Sequence, residues 1–233
     1  VTDSLWQCST CWVAVFDILG FKRWADTESA SISAMISQDS FEVALGHLQV
    51  HCAELSSGPL DYLWFSDTFV MYSRDDSASS YSVIQQAAKH FMEGCLYSSI
   101  PLRGALSCGS LIRSADNRVL MGKAFVDAHL YGEEQDWIGF VLTPAAIAKV
   151  RSYGLAPKHH DFVASEAIPM RRYKTSNVLA YRFQNGAANF ASPFLPVLEG
   201  LKNVAGEENE AKYDRTIAFI QKHYRIYGRL DLS

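Results

Sequence analysis

The order of apolar and polar positions divides the chain into short strands and longer helices. Trp12 to Leu19 is an almost unbroken apolar run with β-branched and aromatic members, and it reads as a central strand that Gly20 ends. From about Lys22 to Leu55 the spacing is helical. Phe41, Leu45 and Leu48 recur at i, i+4 and i+7, Asp39 or Ser40 can cap that helix, and Gly58-Pro59 turns the chain. Leu60 to Phe65 and Thr68 to Ser73 are strand-like runs separated by Ser66-Asp67, which predicts a hairpin with Asp67 at its tip. A helix follows from about Ala78 to Tyr97, with Val83, Ala87 and Phe91 on one face, and Pro101 breaks it. Leu102 to Ile112 is a predicted strand carrying Gly104 and Gly109, and Val119 to Met121 is a short one. Gly122 opens a helix to about Glu134, Gly139 to Thr143 is a strand, and Thr143-Pro144 starts a further helix with a cap residue followed by proline at the first position.

This order is β-α-β-β-α-β, the ferredoxin-like pattern of an α+β fold. Beyond it the pattern predicts a short helix, strands near Asp161–Ala164 and Val178–Phe183, an exposed loop over Ala205 to Asn209, and a C-terminal amphipathic helix with Ile217, Ile220, Tyr224 and Tyr227 on one face. The 233 residues fit a single domain (1–233), with a core over about 12–146 and C-terminal additions over about 147–233.

Composition narrows the function classes. The net charge of -4 gives no basic patch for nucleic acid or an anionic membrane, and no apolar run reaches the ~20 residues that span a bilayer. The expected location is therefore cytoplasmic, with neither nucleic acid nor membrane as a partner. Five cysteines, an odd number at irregular spacing, do not make a disulfide framework. Cys8-Ser-Thr-Cys11 has no second pair to complete a zinc site, with His159-His160 the nearest further ligands, and Cys52, Cys95 and Cys108 read as small buried hydrophobes.

Two acids stand out. Asp17 lies in Val-Ala-Val-Phe-Asp-Ile-Leu-Gly-Phe and Asp67 in Leu-Trp-Phe-Ser-Asp-Thr-Phe-Val, and a carboxylate inside an apolar run is costly unless a cation accompanies it. In a split β-α-β unit the first two strands are parallel and the third lies between them, so the end of strand one sits beside the hairpin turn. Asp17 and Asp67 should therefore meet at one edge of the sheet, with the Ile18 carbonyl and the amides of Leu19, Gly20 and Phe21 beside them. Two carboxylates with open amides suit a metal-bound triphosphate, and Gly20 lets backbone approach a phosphate.

Phe16-Asp17-Ile18-Leu19-Gly20-Phe21 resembles the first-strand motif of the class III nucleotidyl cyclases, and Phe65-Ser66-Asp67 resembles their hairpin-tip acid. Leu102-Arg103-Gly104-Ala105-Leu106-Ser107-Cys108-Gly109 resembles their Arg-x-Gly-x-x-x-Gly strand, and Gly122-Lys123-Ala124-Phe125-Val126-Asp127-Ala128 resembles the Gly-x-x-Val-Asn-x-Ala helix start. The wording is most similar to the bacterial pyrimidine cyclases of the Pycsar anti-phage defence system. The resemblance implies two divalent ions (Mg2+ or Mn2+) held by Asp17, Asp67 and the Ile18 carbonyl, with Asp17 and Asp67 as the catalytic acids. It also implies conversion of UTP or CTP to a 3′,5′-cyclic monophosphate, a homodimer with sites at the interface, and a separate effector that reads the product. Substrate contacts are expected from Leu19, Gly20, Phe21, Tyr62, Trp64 and Lys123, with Tyr62, Leu63 and Trp64 nearest the base.

The chain departs from the family at three positions. The base-selecting Lys of many adenylyl cyclases is Leu63, and their Asn and transition-state Arg align with Asp127 and Tyr131. Lys123, Arg103 or an arginine outside the matched core could supply the missing cation. The other readings are a purine cyclase, a catalytically inactive nucleotide-binding module, and a structural interaction domain that docks through the C-terminal helix.

Overall fold

A computed structural model describes residues 6–21, 60–114, 119–156, 161–164, 168–171, 177–185, 192–223 and 225–226. The expected helices over Lys22–Leu55, the Gly58-Pro59 turn, Cys52, His159-His160, Tyr224 and Tyr227 lie outside these residues.

The core is strand β1 (Trp6–Ile18), the hairpin β2 (Leu60–Phe65) and β3 (Thr68–Ser73), helix α1 (Ala78–Tyr97) and strand β4 (Leu102–Ser114). Then follow β5 (Leu120–Met121), α2 (Lys123–Glu133), β6 (Gly139–Leu142) and α3 (Pro144–Ser152). The additions are β7 (Phe162–Val163), β8 (Leu179–Tyr181), β9 (Gln184–Asn185), α4 (Phe194–Ala205), α5 (Glu207–His223) and β10 (Arg225–Ile226). The main sheet runs β2-β3-β1-β4-β6-β8-β7, with β5 beside β4. β3 lies between β1 and β2 and is antiparallel to both, so β1 and β2 are parallel as the ferredoxin-like pattern requires.

Alternation along β1 sorts its side chains to two faces. Trp12, Ala14, Phe16 and Ile18 join one core cluster with Ile84, Ala88, Phe91 and Cys95 of α1. Cys11, Val13 and Val15 join another with Ala124 and Ala128 of α2. α1 is held at its start by Ser77, which accepts from the Ser80 amide, and α3 by Thr143, which accepts from the Ala146 amide ahead of a first-turn proline. Gly104 leaves room for its cross-strand neighbour, since a Cβ there would lie 2.3 Å from the Phe16 ring. Phe16 can then lie flat and stack on Phe140 at 5.2 Å.

Two expectations are corrected at the C-terminal end. A second helix, α4, occupies Phe194–Ala205, and the loop expected over Ala205 to Asn209 shrinks to Gly206 between α4 and α5. The additions are tied to α1 by a buried ion pair, Lys89 to Asp161 at 2.7 Å, with both side chains 8% exposed. Cys8 is exposed and Cys11 buried, three residues apart on a strand and hence on opposite faces, so they form no redox pair. Cys95 and Cys108 are buried hydrophobes as expected. Among the described residues no helix is long and apolar enough to cross a membrane.

Candidate functional site

β1 brings Asp17 to the edge of the sheet where the β2–β3 hairpin turns. Asp17 pairs with Thr68 across the β1–β3 ladder, and the Ile18 amide donates to the Asp67 carbonyl at 3.0 Å. The two acids therefore stand side by side, and the negative charge of Asp67 helps to raise the pKa of Asp17. Burial is the larger cause of that rise, and Arg103 opposes it.

Arg103 faces Asp17 from β4, its register partner. Its Nε and Nη2 donate to Asp17 Oδ2 at 2.9 and 2.7 Å, and its Nη1 donates to the Glu133 carbonyl at 2.9 Å. Glu133 ends α2, so one guanidinium neutralises a half-buried carboxylate and caps the negative end of a helix. The sequence offers Arg103 as one candidate for the missing cation but favours a structural role for it, and its bonds to Asp17 and to the end of α2 are of that kind. The signal that finds it is register, because two charged residues at adjacent strand ends face each other.

The donors are all oxygen: the Asp17 and Asp67 carboxylates and the Ile18 carbonyl at the same strand end. Among the described residues no group of three or more His, Cys, Asp or Glu side chains converges. Two carboxylates suffice for Mg2+ or Mn2+, which keep several waters and take their remaining oxygens from substrate phosphates. Arg103 engages only Oδ2 of Asp17, and the pKa of Asp17 stays raised despite that guanidinium, through burial first and the charge of Asp67 after it. The residues present fit a divalent ion.

The expected substrate contacts divide. Gly20 turns the chain at φ 81°, a left-handed conformation that suits glycine. Phe21 packs half-buried on the core. The Leu19 amide donates to the Pro101 carbonyl at 2.9 Å, so it is engaged rather than open to a phosphate. Tyr62 and Trp64 alternate to the opposite face of the sheet from Asp17: Trp64 pairs with Phe69, which pairs with Phe16 on the α1 side. The Tyr62 ring stacks on Phe69 at 5.7 Å, and the Trp64 indole donates to the Ser66 carbonyl at 2.6 Å. The β2 residues that share the Asp17 face are Leu63, half-buried against the α2 cluster, and Phe65, 77% exposed.

Lys123 begins α2 whereas Arg103 and Asp17 lie at its other end, on the order of 15 Å away for an 11-residue helix. Lys123 is exposed and pairs with Asp127 at 2.8 Å. Tyr131 packs against the cluster of Trp137, Ile168 and Phe219, so its side chain is a packing element of the C-terminal additions. The outward pairs of α2 are Lys123–Asp127 and Val126–Leu130, with Val126 49% and Leu130 40% exposed. In β4, Ala105 stands two residues after Arg103, where the family pattern has its first glycine, and Gly109 holds the second position under Ala124.

No family model matches the sequence, and no curated protein does. Solved structures do match the fold. The guanylate cyclase domain of RhGC from Catenaria anguillulae, in complex with GTP, superposes with a TM-score of 0.54 at 10% identity, covering 76% of this chain and 98% of that one. The catalytic core of a rhodopsin–guanylyl cyclase with converted specificity, in complex with ATPαS, gives 0.54 at 9% identity with coverage of 76% and 98%. An adenylate/guanylate cyclase/hydrolase from Silicibacter pomeroyi gives 0.52 at 9% identity with coverage of 76% and 98%. The chain has the fold of class III nucleotidyl cyclase catalytic domains.

Proposed function

We propose that the chain is a nucleotidyl cyclase that converts UTP or CTP to the 3′,5′-cyclic monophosphate and pyrophosphate, acting as a second-messenger synthase in bacterial anti-phage defence. The observation that carries the cyclase reading is the meeting of Asp17 and Asp67 at one sheet edge within a cyclase-type fold. The pyrimidine and defence parts rest on the motif wording and on Leu63, an apolar side chain at the position of the base-selecting Lys.

Two divalent ions, when bound, would lower the pKa of the ribose 3′-hydroxyl and neutralise the pyrophosphate leaving group. Asp17 and Asp67 would hold the ions through their carboxylate oxygens, and the Ile18 carbonyl would add a neutral donor. Arg103 favours the ionised form of Asp17 and orients it through two hydrogen bonds to Oδ2, so Oδ1 is not engaged by the guanidinium. The Gly20 turn lets backbone come close to a phosphate. Leu63 and Phe65 replace Tyr62 and Trp64 as the β2 side chains on the Asp17 face, where they would meet a base by packing, without the Lys that selects a purine in many adenylyl cyclases. Lys123, at the far end of α2 from the acids, would reach a phosphate only at the site of a second copy of the chain, so the reading includes a homodimer with sites shared between subunits. The product would leave for a separate effector.

A purine cyclase is the second reading, favoured by neighbours whose structures hold GTP and ATPαS. Mass spectrometry of products formed from equal ATP, GTP, CTP and UTP with Mn2+ decides between them. A cyclic pyrimidine monophosphate is the expected result. A cyclic purine overturns the base assignment and keeps the metal site. No cyclic product from folded, metal-loaded protein overturns the cyclase reading.

A further inference from the structure

The turn that carries Asp67 is strained. Ser66 has φ 56°, a positive value that residues with a Cβ rarely adopt. Asp67 is not among the residues of positive φ, so the two-residue turn has a positive φ at its first position only, the pattern of a type II′ turn. Glycine is favoured there, and serine occupies it. Type I′ and type II′ turns differ by a flip of the peptide between their two central residues. Here that peptide is made of the Ser66 carbonyl and the Asp67 amide.

One side chain holds that peptide. The Trp64 indole N–H donates to the Ser66 carbonyl at 2.6 Å, across the turn from the strand that precedes it. The ring is 41% exposed, so its burial is incomplete while its polar atom has a defined partner. On the far side of the turn the Asp67 carbonyl accepts from the Ile18 amide at 3.0 Å, which docks the tip beside Asp17. Flipping the Ser66–Asp67 peptide breaks the indole bond, forces Asp67 to positive φ, and swings its Cα–Cβ bond away from Asp17.

We propose that Trp64 is a positioning residue for Asp67: its indole N–H fixes the Ser66–Asp67 peptide in the one orientation that sets the Asp67 carboxylate beside Asp17. The inference rests on the reading of Asp67 as a metal ligand. It gives Trp64 a role on the face away from the substrate, in place of contact with a base.

The test uses Trp64→Phe, Ser66→Gly and the double variant in the full chain, with Asp67→Asn as the reference. Mn2+ affinity is read by electron paramagnetic resonance, and tip docking by hydrogen exchange of the Ile18 amide. Trp64→Phe, which keeps a ring and loses the donor, should weaken Mn2+ binding on the order of fivefold, the size of one net hydrogen bond. It should also speed Ile18 exchange by a similar factor. Adding Ser66→Gly removes the strain at the first turn position and should bring both readouts back to within about twofold of wild type. A general loss of packing at Trp64 would not be rescued by a glycine that makes no contact. Unchanged Ile18 exchange in folded Trp64→Phe, or no recovery in the double variant, overturns the proposal. If Asp67→Asn binds Mn2+ as wild type does, the metal reading falls instead, and Ile18 exchange alone decides whether Trp64 holds the turn.

Discussion

Replacing Arg103 with Met tests the electrostatics of the site most directly. The side chain keeps its length and loses its charge and its donors. Two charge-assisted hydrogen bonds to Asp17 and one to the Glu133 carbonyl disappear. Arg103 and Asp17 are 13% and 21% exposed, so the pair is screened in part but not solvated. Hydrogen bonds to charged groups contribute ~1.5–3 kcal/mol, and breaking a fully buried pair costs ~3–5 kcal/mol. A loss of about 3 kcal/mol is expected at neutral pH, or roughly 6–12 °C in melting temperature for a chain of this size. The pH dependence carries the argument further. The pKa of Asp17 is raised by burial even with Arg103 in place, and without that cation it rises further. A carboxylate whose folded pKa lies above its unfolded value of 3.8 destabilises the fold once pH exceeds 3.8 and it must ionise; below that value the penalty is gone. The cost of Arg103→Met should therefore be largest near neutrality and shrink on acidification. The assay is urea unfolding of metal-free protein between about pH 4.5 and about pH 7.5, repeated with excess Mn2+. The cation should recover part of the lost stability in Arg103→Met and none in Arg103→Met with Asp17→Asn. A penalty that is the same across the pH range would refute the reasoning.

The remaining predictions concern the additions, the sheet and the assembly. Lys89→Met or Asp161→Asn alone should destabilise by about 3–5 kcal/mol in urea unfolding, because each leaves its partner with an uncompensated buried charge. The double variant should cost much less than the sum, and strict additivity would show that the pair does not couple. Gly104→Ala should cost about 1–3 kcal/mol, since the new methyl meets the Phe16 ring at 2.3 Å and the Val15 carbonyl at 2.8 Å, and calorimetry reads it. Asp67→Ala should abolish cyclisation while circular dichroism stays that of the folded protein, and normal turnover in that variant would sink the two-acid scheme. Equal amounts of Asp17→Ala and Lys123→Ala, each inactive alone, should recover roughly a quarter of wild-type turnover, since half of a random mixture of dimers carries one intact shared site. No recovery on mixing would remove Lys123 from the site.

The parts of the fold legible in the sequence are those whose signal is local. A continuous apolar run gave the buried part of β1 from Trp12 but not its more exposed start at Trp6–Thr10, two strand-like runs around a polar pair gave the hairpin, and Thr143-Pro144 gave the start of α3 to the residue. α4 was not legible, although Phe194, Leu198 and Leu201 repeat at i, i+4 and i+7. Pro196 and Gly200 interrupt that repeat and lower helix propensity, and only packing of the apolar stripe against the core overrides them. The candidate site divides along the same line. That Asp17 and Asp67 meet follows from topology alone, because any β-α-β-β-α-β chain lays the end of its first strand against the hairpin turn. Which β2 side chains look into the site depends on register, and a slip of one residue exchanges the faces. Tyr62, Leu63 and Trp64 read as base-pocket residues because they precede Asp67 closely in sequence, and the two aromatics add bulk. The pairing of Phe65 with Thr68, and of Thr68 with Asp17, instead puts Leu63 and Phe65 on the face of the sheet that carries Asp17. The same register that turns Trp64 away from the Asp17 face brings its indole N–H to the Ser66 carbonyl of the turn, so on our proposal this aromatic residue acts on the geometry of the acid from behind the sheet.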